Sequence, residues 1–121
     1  MPVRLRRAPL AEVDAALARL DAGGDQRADR RLLVSHLLAV LTERAPGASV
    51  EVRVPPYAAA QCVPGARHTR GTPPAVVETD PATWIALGTG RLTWADAVAA
   101  GRVVASGERS DLSAWLPLHA G

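Results

Sequence analysis

The chain has 121 residues, a net charge of +2 and 48% hydrophobic side chains, enough for a single domain spanning residues 1–121 that buries about two thirds of its unfolded surface. One cysteine, Cys62, excludes an internal disulfide and a cysteine-rich zinc site, and fits a reducing, cytoplasmic setting. All 14 basic residues are arginine, spread from Arg4 to Arg109 and clustered only at Arg4, Arg6 and Arg7, and with one Tyr and no Phe for stacking they do not read as a nucleic-acid surface.

The opening is basic like a secretory leader, but Glu12 and Asp14 interrupt the apolar stretch a leader needs, so no targeting to secretion is expected. Leu10, Val13, Leu17 and Leu20 then recur at helical spacing, with Pro9 suited to a first turn and Gly23 and Gly24 as the stop, which predicts a helix over 9–22. A second helix starts near Asp25 or Asp29 and ends before Pro46. It carries Leu33, Leu37, Val40 and Leu41 on one face and Leu32, Val34 and Leu38 on others. A helix apolar on that many sides is covered either by the first helix or by a second subunit, so a homodimer is one expectation. Its apolar run, residues 32–41, is about half the length of a membrane span, and no transmembrane segment is expected.

From Ser49 the period becomes two. Val50, Val52 and Val54 alternate with Glu51 and Arg53 as a strand with one wet face, and Pro55 and Pro56 end it. Residues 57–63 and 75–79 read as two further strands. Asp80 as N-cap and Pro81 at the first helical position open a helix that Gly88 and Gly90 close. That glycine pair follows a helix and lacks a third glycine, so it is a stop and not a phosphate loop. Thr93 and Asp96 have capping-box spacing, Leu92 can staple onto Ala97, and Gly101 ends that helix. Residues 102–106 make a strand, Gly107 turns the chain, and Ser110 or Asp111 caps a last short helix over 111–116 that precedes Pro117.

Residues 80–118, DPATWIALGTGRLTWADAVAAGRVVASGERSDLSAWLPL, resemble the C-terminal half of the sterol carrier protein domain. The shared pattern is an acidic-led helix, a glycine before a short helix, then G-[KR]-[LV]-x-[VA]-x-G-[DE] and a closing apolar helix. It falls here on Gly90, Gly101, Arg102, Val103, Ala105, Gly107 and Glu108. The stretch from Val54 to Pro81 is similar to the divergent bacterial branch of actinobacterial type. The resemblance implies an α+β fold, with helices on one face of a curved, mostly antiparallel sheet of about four to five strands. It also implies a tunnel between sheet and helices that holds a fatty acyl chain, a sterol or another lipid, with neither enzymatic activity nor cofactor. In such a fold the tunnel is lined by Trp84, Leu87, Leu92, Trp94, Val98, Val103, Leu112, Trp115 and Leu116, with Trp115 as the reporter of a bound ligand. This chain departs from the family in its short strand region, in having no Phe, and in ending on LPLHAG without a peroxisomal tripeptide.

The residues themselves offer one polar candidate, the loop from Arg67 to Pro74. Arg67, His68 and Arg70 have the forks and charge to hold a small anion weakly, and a solvated turn accounts for the same residues. His36 has no second histidine or cysteine spaced to join it, and reads as a hydrogen-bonded core residue. Nothing in the spacing orients Cys62 with His68, or gives Ser113 and His119 a nucleophile elbow, and no metal-ligand set is present. Two functions stand: a non-enzymatic binder of an apolar ligand, and a protein-interaction module that keeps the fold with its tunnel filled. A third, a small enzyme at the arginine loop, has only residue types behind it.

Overall fold

The computed structural model describes residues 5–65, 75–107 and 110–119. Helices α1 (Leu10–Asp21) and α2 (Arg27–Arg44) lead into strands β1 (Val50–Val54), β2 (Ala58–Cys62) and β3 (Ala75–Thr79). Helices α3 (Pro81–Gly88) and α4 (Trp94–Ala99), strand β4 (Val103–Ser106) and a 3₁₀ turn at Ser113–Trp115 complete the described chain. This is an α+β fold.

The sheet has four strands in the order β2-β1-β3-β4. Its outer pairs are antiparallel and its central pair, β1 with β3, is parallel. The chain turns from β1 into the edge strand β2 and then returns to the far side of β1, which is how a parallel neighbour is reached without a tight hairpin. Register places Val52 opposite Ala60 on one side and Val77 on the other. One face is buried: Val50, Val52 and Val54 of β1, and Ala75, Val77 and Thr79 of β3, point into the core, while Arg53 and Glu78 face water.

Helix α2 fills the space above that face. Leu33, Val34, Leu37, Leu38, Val40 and Leu41 are all buried, and α1, β2 and α3 pack around them. The apolar surplus of α2 is therefore satisfied within the chain, and the reason for expecting a second subunit on this helix disappears. Asp29, expected among the candidate N-caps, lies inside the first turn of α2 instead. Its buried carboxylate takes a bidentate pair of hydrogen bonds from Arg19, 2.9 Å from Nε and 2.8 Å from Nη2, which ties α1 to α2. These bonds hold the carboxylate below its usual pKa against desolvation, with the guanidinium charge adding to them.

The capping signals around α3 and α4 resolve as local chemistry dictates. Asp80 Oδ1 accepts from the Thr83 N–H at 2.8 Å and Thr93 Oγ1 from the Asp96 N–H at 3.1 Å, each satisfying an orphan donor of a first turn. Gly90 and Gly101 take φ of 78° and 70° just past the two helices, a conformation that favours glycine.

The last helix differs from its prediction. Asp111 Oδ1 accepts from the Ser113 N–H at 2.8 Å, but the N-cap is Leu112 and only the single turn Ser113–Trp115 follows. Leu116 is extended with ψ 149°, and Pro117 after it has no N–H with which to continue the turn.

Candidate functional site

The site is built where α3 ends. Leu87 sits in the last turn of α3, buried against α2 and the core. Gly90 reverses the chain, Leu92 follows, and the Thr93 cap fixes where Trp94 begins α4. The C-terminal segment returns over this corner. The N–H groups of Leu118 and His119 both donate to the Gly88 carbonyl, at 2.8 and 2.9 Å. Arg44 of α2 donates to the carbonyls of Pro117 and Leu118 at 2.9 and 3.2 Å. Between the returning segment and the α3–α4 corner lies an open groove of about 380 Å³.

Leu87, Leu92, Trp94 and Leu116, four of the nine residues expected to line a ligand site, converge on this groove. Gly90, Thr93, Ala95, Ser113 and Pro117 complete it. None of these side chains is ionisable. The groove can exclude water from an apolar surface and offers the hydroxyls of Thr93 and Ser113 at its edge.

The other five are placed elsewhere. Trp84 and Leu112 are fully buried in the core, with the Trp84 indole N–H donating to the Val34 carbonyl at 3.3 Å, and Val103 is buried at the start of β4. Val98 lies on the outer face of α4, 46% exposed. Trp115 is half-buried against the core without reaching the groove. No strand residue lines the groove, which therefore opens beside the helices and not between helices and sheet. Arg67, His68 and Arg70 lie outside the described residues.

The buried cysteine and histidines behave differently. Burial pushes the Cys62 thiol up to about 11, which leaves almost no thiolate near neutral pH. His36 is buried and hydrogen-bonded, its Nδ1 accepting from the Ala8 N–H at 2.9 Å. His119 from the far end of the chain stands beside it, with ring centroids 6.5 Å apart in an edge-to-face arrangement. No sequence spacing signals that pairing, because the Gly88 carbonyl and Arg44 bring the C-terminus there. Among the described residues no cluster of three or more histidine, cysteine or acidic side chains could hold a metal ion, and no helix is long and apolar enough to cross a membrane.

The family model described as "Bacterial SCP ortholog" matches residues 26–118, SCP being sterol carrier protein. The chain belongs to this family. The matched span runs from just ahead of α2 to the C-terminal segment and contains every residue of the groove, while α1 precedes it. No curated protein matches the chain.

Proposed function

We propose that this sterol carrier protein-like chain binds an apolar molecule, a lipid or similar small ligand, in the groove between the α3–α4 corner and the C-terminal segment, and does not transform it. The observation that carries this reading is the groove lining itself. Leucine, tryptophan and proline side chains meet around about 380 Å³ without an ionisable group among them. That volume falls in the range of about 300–1,000 Å³ that small-molecule sites occupy. Family membership points to the same ligand class. The Gly88 and Arg44 contacts give the site one rigid wall and one wall, Leu116 and Pro117, held by a few hydrogen bonds that can yield to admit a ligand.

The interaction-module reading draws on the same groove and on the complete burial of Trp84 and Leu112, which leaves the interior filled at those positions. Native mass spectrometry of protein purified without detergent separates the two. Carriage of an apolar molecule gives a bound species whose added mass survives gentle desolvation and is lost on solvent extraction. A uniform ligand-free mass that no added medium-chain alcohol changes would replace carriage with interaction.

A further inference from the structure

A second pocket, of about 580 Å³, opens between α1, α2 and the end of the C-terminal segment, and it is polar where the groove is apolar. His36 lies at its base, only 2% exposed. Because Nδ1 of His36 accepts from the Ala8 N–H, the neutral ring carries its proton on Nε2, which makes that nitrogen a donor. The His119 side chain is 10% exposed, and its buried Nε2 has no hydrogen-bond partner among the described residues. Asp14 Oδ1 comes within 3.4 Å of that nitrogen without bonding it, and the Asp14 side chain is 67% exposed to water. Buried polar nitrogens are ordinarily paired, and this unpaired one belongs to a residue that lines the pocket.

The charges around the pocket balance. Arg7 is paired with Glu43, and Arg44 donates to the carbonyls of Pro117 and Leu118, but each guanidinium has five N–H groups and keeps some unused. Asp14 and Glu43 offset Arg7 and Arg44, so the site gains net positive charge only when an imidazole takes up a proton. Leu10, Val40 and Leu118 supply apolar surface beside the polar groups.

We propose that this pocket binds a small carboxylate, its two oxygens accepting from Nε2 of His36 and Nε2 of His119 and its short carbon body lying against Leu10, Val40 and Leu118. Arg7 and Arg44 provide the countercharge, and Asp14 opposes it. Two imidazole donors fit a planar carboxylate, and the apolar flank gives a carbon chain a place that inorganic phosphate leaves empty. Arg7, Leu10, Asp14 and His119 lie outside the span matched by the family. A bound anion favours the charged over the neutral form of an imidazole beside it, so binding is expected to be tighter at about pH 6 than at about pH 8.

The test is a titration of the whole chain with butyrate, followed by the imidazole nitrogen resonances. Saturable shifts at both His36 and His119, stronger at the lower pH and not reproduced by butanol or phosphate, are expected. His119→Phe keeps the ring and removes both nitrogens, and weakens binding about tenfold. Asp14→Asn removes the opposing charge and tightens binding about threefold, a gain that a purely structural role for these residues does not produce. Silent imidazoles, an equal response to butanol, or unchanged affinity in both variants would overturn the proposal. Because butanol carries the same chain without the charge, the result stands apart from whether the groove holds an apolar ligand.

Discussion

Three tryptophans of one chemistry occupy three environments, and each predicts a different outcome on truncation. Trp84 is fully buried with its N–H bonded to Val34, so Trp84→Ala costs about 3–5 kcal/mol in equilibrium urea unfolding. Trp94 and Trp115 are half-buried, and truncating either costs clearly less. Equal destabilisation by all three would contradict this placement. His36 carries a pH dependence. Desolvation, followed by the charges of His119 and Arg7, holds its pKa below the usual 6.5, with Glu43 opposing. The folded ring stays neutral where the unfolded one takes up a proton, so this contribution to stability is complete above pH 6.5 and is lost as pH falls through that value toward the folded pKa. His36→Gln should flatten the stability profile between pH 6.5 and the carboxylate range, measured by thermal unfolding across pH. An unchanged slope would mean that another group sets it. The burial of His36 was legible from its apolar neighbours in sequence, whereas its partner His119 was not, because contact across the whole chain leaves no periodic trace.

Helices α3 and α4 were legible because their determinants are local: an Asp80 cap with Pro81 behind it, a Thr93 cap, and glycines at the left-handed positions Gly90 and Gly101. The segment after β4 was misjudged for a local reason too: Leu116 is extended and Pro117 has no N–H, so one 3₁₀ turn stands where the apolar spacing suggested a helix. Asp29 misled in the opposite way. It has the chemistry of a cap, and a tertiary partner, Arg19, takes it instead. Gly88 joins both levels: a methyl group there would stand 2.7 Å from Leu37 Cδ1 and 3.2 Å from its Cγ, and Leu37 is buried too deeply to swing away. Gly88→Ala is therefore expected to cost about 1–3 kcal/mol by pushing α3 off α2. It also loosens the Leu118 and His119 bonds to the Gly88 carbonyl, read as faster amide exchange at those two residues. Full stability in this variant would show that α2 and α3 are not in close contact.

At the scale of the whole molecule, four strand segments were legible in local pattern and the layering of helices on a sheet in the family resemblance, but the sheet order β2-β1-β3-β4 was legible in neither. Alternation tells which face of a strand is buried and says nothing of which neighbour it pairs with. The same limit governs the candidate site. Leu87, Leu92, Trp94 and Leu116 share a groove because the C-terminal segment is anchored on Gly88 and Arg44, while Trp84 and Leu112, equally apolar in the sequence, are consumed by the core. On the proposed function the tryptophan beside a bound ligand is Trp94, which lines the groove, whereas Trp115 does not line it. A fluorescence titration of the intact chain with an uncharged medium-chain alcohol, in wild type, Trp94→Phe and Leu116→Glu, tests the central claim most directly. Carriage in the groove predicts a saturable change in tryptophan emission, its loss in Trp94→Phe, and at least about tenfold weaker binding when Leu116→Glu places a charge against the apolar wall. No saturable change in the wild type, or a change that persists undiminished in both variants, would contradict it.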